Sequence, residues 1–133
     1  MKTDSIKCNA VVPATPEAVY TAWLSSKGHA AMTGSSAKIT ARVGATFSAW
    51  DGYISGRTLE AKPSSRILQA WRTTDFADDE PDSSLEVLLE KARGGTKVTL
   101  VHTKIPAGHG AEYRKGWIDF YFTPMKEYFA SLK

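Results

Sequence analysis

The sequence predicts an α+β fold: a curved antiparallel sheet of six to seven strands wrapped around a long C-terminal helix, with two short helices after the first strand. Three observations lead there. Apolar residues recur at every second position from about residue 36 to residue 105, the period of half-buried strands. The connectors between these runs are mostly short and rich in turn formers, which join antiparallel neighbours. From residue 111 the helical period returns and persists to the end.

The elements follow in order. "SIKCNAVV" alternates Ile6, Cys8 and Ala10 against polar neighbours and stops at Pro13, as a first strand would. In "ATPEAVYTAWLSS" Thr15 suits an N-cap, Pro16 the first turn and Glu17 the positive helix end. Val19, Tyr20, Trp23 and Leu24 then share one side of that helix. Lys27-Gly28 is expected to end it, and "HAAMTG" to add a short, weakly helical piece. Six strand-like runs come next: "AKITARV", "ATFSAW", "YISGRTLEA", "SRILQAWRTT", "SLEVLLEKA" and "TKVTLVHTKI". Asp51-Gly52, Lys62-Pro63-Ser64-Ser65 and Gly94-Gly95 supply the turns. The longer connector "DFADDEPDS", residues 75–83, is acidic and reads as an exposed hairpin tip.

A sheet of this kind has an apolar face that something must cover, and the C-terminal helix is the only element long enough. On a helix over residues 111–131, Tyr113, Trp117, Phe120, Tyr121, Pro124 and Tyr128 form one stripe. Ile118, Phe122, Met125, Phe129 and Leu132 form a second beside it, and Glu112, Lys115, Asp119, Lys126 and Glu127 gather opposite. Pro124 removes a backbone hydrogen bond and its ring clashes with the Phe120 carbonyl, so a kink costing about 3 kcal/mol is expected there. Burial in a core is the ordinary fate of any one such ring. Taken with Trp23, Phe47, Trp50, Tyr53 and Trp71, however, stiff rings arched over a curved sheet leave a void. An apolar void with a few polar tips is a small-molecule pocket.

Bulk properties exclude several classes. The 133 residues suit a single domain spanning 1–133, with 42% hydrophobic and 23% charged residues. The net charge of +3 is scattered, which speaks against nucleic acid as a partner. No apolar stretch is long enough for a membrane span, and the N-terminus lacks the apolar run of a signal peptide. Cys8 is alone, which fits a reducing, cytoplasmic setting. His29, His102, His109 and Cys8 lack zinc-ligand spacing, so no metal and no cofactor is expected. "AGHGAEYRKG" lacks the lysine-serine pair of a phosphate loop, and no Gly-x-Ser-x-Gly elbow occurs.

The segments "VPATPEAVYTAWLSS", "GATFSAWDGYISGRTLEAKPSSRILQAW", "GGTKVTLVHTKIP" and "GWIDFYFTPMKEYF" together resemble the START-like (Bet v 1-like, SRPBCC) superfamily over nearly the whole chain. More narrowly, they are similar to the family named after the C-terminal domain of the activator of Hsp90 ATPase. The chain departs from that family where a tryptophan often follows the first helix; here Met32 occupies the region. The proline in the last helix is a second departure. The resemblance implies a helix-grip fold with a cavity between sheet and helix. Candidate ligand-binding residues are then Trp23, Phe47, Trp50, Tyr53 and Trp71, with Val87 and His102 from later strands and Trp117, Phe120 and Tyr121 from the helix. Activity is left open, since one fold serves many functions.

Three readings in different classes follow. The preferred one is non-catalytic binding of a small hydrophobic or amphipathic molecule in the cavity. The second is a chaperone partner, by analogy with the Hsp90 activator. The third is a cavity enzyme of cyclase or dehydratase type, for which His102 is the candidate acid or base with Glu60, Arg57 and Arg72 as neighbours. A homodimer through a sheet edge or the helix is left open.

Overall fold

The computed structural model describes residues 2–132. Its order is β1 (Thr3–Val12), α1 (Pro16–Trp23), α2 (Ser26–Thr33), β2 (Ala37–Lys38), β3 (Thr46–Ala49), β4 (Ile54–Lys62), β5 (Arg66–Thr73), β6 (Ser83–Ala92) and β7 (Gly95–Pro106). The chain closes with α3 (Gly110–Trp117), a π-helical segment (Ile118–Phe122) and α4 (Thr123–Ser131). The strands form one antiparallel sheet in the order β1-β7-β6-β5-β4-β3-β2. Every step but one is thus a hairpin between sequence neighbours; β7 pairs back to β1 across the other edge. This is the helix-grip arrangement.

Strand parity decides which side chains meet the helix. Ile67, Gln69, Trp71 and Thr73 on β5, Ser83, Leu85, Val87 and Leu89 on β6, and Thr96, Val98, Leu100 and His102 on β7 are all buried. Their alternation places them on one face. Val87 pairs with Leu100 and Leu85 with His102, so the two strands hold the same register across the core. From the helix, Tyr113, Trp117, Tyr121, Met125 and Phe129 come down onto this face, all buried.

The start of α3 is fixed from a distance. His109 makes no side-chain cap, and instead Asp4 Oδ2 on β1 accepts from the N–H groups of Gly108 and Gly110, each at 2.9 Å. A carboxylate there satisfies orphan helix donors and complements the positive helix end. A phosphate would compete with that carboxylate for the same amides.

Four features differ from expectation. Lys27-Gly28 does not end α1; the break lies at Leu24-Ser25, where Ser25 Oγ accepts from the Gly28 N–H at 3.0 Å and caps α2. Gly28 is needed because a Cβ there would stand 2.7 Å from Ala22 Cα, where the two short helices meet. The run "AKITARV" is a strand only at Ala37–Lys38: Ser26 Oγ holds both the N–H and the carbonyl of Ile39, at 3.0 and 3.1 Å, in place of a sheet partner. The acidic connector is exposed at Asp75, Asp78 and Asp79, but Phe76 is buried beside Trp71 and Tyr113. Arg72 ties the connector down through the Ala77 and Glu80 carbonyls and the Asp82 carboxylate. Finally, the helix meets Pro124 through the π-helical segment, in which the Thr123 N–H bonds to the Ile118 carbonyl five residues back. The wider turn places the ring at the start of α4, where its missing N–H costs little.

Candidate functional site

Between the C-terminal helix (α3 and the π-helical segment) and strands β4 and β5, closed at one end by the β3–β4 turn, lies a cleft of about 380 Å³. Its floor is buried: Ile54 from β4, Trp71 from β5, and Tyr113, Trp117 and Tyr121 from one row of the helix. Its rim is exposed: Tyr53 and Phe120 are 38% and 55% accessible, and Glu112 is also at the surface. Trp50 and Gly116 complete the lining. A volume in this range, with apolar walls and a few polar tips, is what small-molecule sites have.

The rings are held in fixed relation. Trp71 packs on Trp117 with centroids 5.2 Å apart and on Tyr113 at 5.4 Å and 90°. Trp117 meets Tyr121 at 4.8 Å, and Phe120 meets Trp50 edge-on at 5.4 Å. Trp50 and Asp51 both have positive φ, 52° and 55°, a conformation that tryptophan seldom adopts. Its indole Nε1 is buried and has no hydrogen-bond partner among the described residues. Unpartnered buried donors and backbone strain both carry a free-energy cost, and here they coincide on one cleft residue.

Polar groups behind the walls lock the floor. The Trp117 indole N–H donates to His102 Nδ1 at 3.1 Å, so Nδ1 carries no proton. The remaining proton sits on Nε2, which donates to Ser83 Oγ at 2.8 Å, and Ser83 donates onward to the Trp71 carbonyl at 2.7 Å. Burial pushes the His102 pKa down to about 3. On the other side His29 Nδ1 donates to the Trp23 carbonyl at 2.8 Å, leaving Nε2 to accept from the Tyr121 hydroxyl at 2.7 Å. Burial lowers the His29 pKa as well, and the Trp23 carbonyl opposes that shift. At the rim, the Tyr53 hydroxyl donates to Asp75 at 2.6 Å; burial and this bond raise the phenol well above its ordinary value. Tyr113 shares a hydrogen bond with Thr73 at 2.6 Å, and burial raises it too.

Six of the ten residues expected around a ligand line the cleft: Trp50, Tyr53, Trp71, Trp117, Phe120 and Tyr121. The other four lie outside the lining. Trp23 is buried and donates to Gln69 at 3.3 Å, Phe47 and Val87 are core, and His102 is fully enclosed, with both nitrogens engaged. A ring of pKa about 3 with no free nitrogen is not placed to exchange protons with a molecule in the cleft. Glu60 and Arg57 are exposed, and Arg72 serves the acidic connector. Four lining residues, Ile54, Glu112, Tyr113 and Gly116, were not among those expected around a ligand; Tyr113 stands on the aromatic row 113-117-121, and the signal for Glu112 and Gly116 was the neighbouring i, i+4 row 112-116-120. Glu112, expected on the polar side, stands at the boundary of the two.

Among the described residues no three His, Cys, Asp or Glu side chains are grouped to hold a metal ion. No helix among them is long and apolar enough to cross a membrane.

Comparison with known proteins bears on this geometry. No curated protein matches the chain in sequence. Among solved structures, an Hsp90 activator from Plasmodium falciparum is similar with a TM-score of 0.82 at 23% identity, over 92% of this chain and 94% of that one. A protein from Chromobacterium violaceum is 26% identical with a TM-score of 0.72 over the same shares. A protein from Mesorhizobium loti is 14% identical with a TM-score of 0.81, over 98% and 99%. The sequence profile of the Activator of Hsp90 ATPase homolog 1-like proteins matches residues 13–130, and the chain belongs to that family.

Proposed function

We propose that the protein binds a small hydrophobic or amphipathic molecule in the cleft between β4–β5 and the C-terminal helix. The observation that carries this reading is Gly116. Glycine inside a helix costs roughly 0.5–1 kcal/mol relative to alanine, so it usually marks a need for special φ or close packing. Gly116 has neither. Its φ is not positive, and a Cβ added to it would meet only Phe120 Cδ2, at 3.9 Å. What the missing side chain leaves is room in the cleft, in the middle of a wall made mostly of rings.

Replacement by leucine separates folding from binding. Gly116→Leu is expected to raise unfolding stability by up to about 1 kcal/mol through helix propensity. It is also expected to abolish the fluorescence enhancement of the neutral probe N-phenyl-1-naphthylamine that the unmodified protein gives. Undiminished probe binding in a folded Gly116→Leu protein would refute the cleft as the site.

The family match supports a second reading, contact with an Hsp90-type chaperone, because the Plasmodium falciparum neighbour is described as an Hsp90 activator. Adding the chain to purified Hsp90 and following ATP turnover tests it. Acceleration that survives Gly116→Leu would place that activity away from the cleft.

A further inference from the structure

We propose that the molecule taken by the cleft is an organic ammonium ion on an apolar body, its cationic head lodged among the rings and drawn toward Glu112. This deepens the binding reading and rests on it. Seven of the ten lining residues are aromatic, and ring faces attract cations where aliphatic walls do not. The chain carries more lysine and arginine than aspartate and glutamate, 17 against 14. Among the described residues no basic side chain lines the cleft, and Glu112 is the one carboxylate that does. A second carboxylate stands at the exposed rim: Asp75 accepts from Tyr53, which enriches that phenol in electron density and strengthens its pull on a cation.

Neighbouring basic groups are engaged elsewhere. Arg72 is spent on Asp82 and two carbonyls, and Lys115 reaches toward Asp119 at 3.9 Å. His109 lies 3.6 Å from Glu112 but outside the lining. An anionic head would therefore meet no counter-charge and one like charge. A neutral molecule would gain apolar burial alone. A cation gains burial, ring faces and a carboxylate together.

Three phenols of one shape test this on the full chain. They carry, para to the hydroxyl, a trimethylammonium, a tert-butyl or a sulfonate group. Each is titrated while the indole N–H resonances of Trp50, Trp71 and Trp117 are followed by NMR. The trimethylammonium compound is expected to bind at least about tenfold more tightly than the tert-butyl compound, with the sulfonate weakest. Glu112→Gln removes the charge at the rim and is expected to weaken the cation about threefold, lowering the preference for trimethylammonium over tert-butyl by the same factor. If the tert-butyl compound moves the same resonances with equal or higher affinity, the ammonium preference is wrong while the cleft remains a binding site. If no probe moves them at millimolar concentration, the binding reading falls and takes this inference with it.

Discussion

Trp50 and Trp117 both line the cleft, yet the chain holds them at different cost. Trp117 is 3% exposed, has ordinary helical φ and ψ, and satisfies its N–H on His102. Trp117→Ala is expected to cost about 3–5 kcal/mol, the range for a buried aromatic, and it also strands the His102 acceptor. Trp50 is half-buried, strained in φ and unpartnered at nitrogen. A left-handed non-glycine residue costs roughly 1–2 kcal/mol, so Trp50→Gly returns part of what it loses in packing on Phe120. Its net effect is expected below about 2 kcal/mol. Denaturant titration of the two variants checks the contrast, and equal losses would show that Trp50 is not strained. At this scale the sequence was half legible. Aromatic residue types pointed to the walls, because rings are bulky wherever they land. It could not separate Trp71, which faces the cleft, from His102, which has the same strand parity but lies beneath Trp117. Residue type did not flag Gly116 either, since its contribution is space rather than a group; only its place on the row 112-116-120 marks it.

The C-terminal helix explains why a π-helical segment exists at all. Tyr113, Trp117, Tyr121, Met125 and Phe129 repeat at a strict interval of four. An α-helix turns about 100° per residue, so an interval of four drifts by about 40° each step and would carry Phe129 away from the face holding Tyr113. The wider turn at Ile118–Phe122 takes up much of that drift, and all five residues stay buried. Pro124 then falls just after it rather than inside an α-helix. Pro124→Ala is therefore expected to change stability by less than about 1 kcal/mol, not to recover the roughly 3 kcal/mol that an interior proline costs. A gain near 3 kcal/mol in thermal or denaturant unfolding would mean that the ring is strained where it sits. The interval of four is readable in sequence, as were the hairpins, because turn residues mark their ends. The shortened β2 was not, since Ser26, which holds Ile39, lies in a different element.

For the molecule as a whole, pH is the lever. His102 has a folded pKa near 3 against 6.5 for the free side chain, and His29 is lowered too. Between those values the unfolded chain binds a proton that the folded one refuses, so stability rises with pH. His102's contribution is fully present above about pH 6.5 and is lost as acid approaches pH 3, at about 1.4 kcal/mol per pH unit within the window. Unfolding free energies measured from pH 7 to pH 4 are expected to fall accordingly. His102→Gln should lower stability at pH 7 but flatten the slope; an unchanged slope would remove His102 from the account.

The two imidazoles hold successive turns of one helix, at Trp117 and Tyr121, and those same rings form the cleft floor. Protonating His102 at Nδ1 would set one N–H against another and push the indole off its anchor. Hydrogen ions and the proposed guest would thus compete without touching, one from beneath the floor and one from above it. By reciprocity, a guest that steadies those rings makes both imidazoles still harder to protonate.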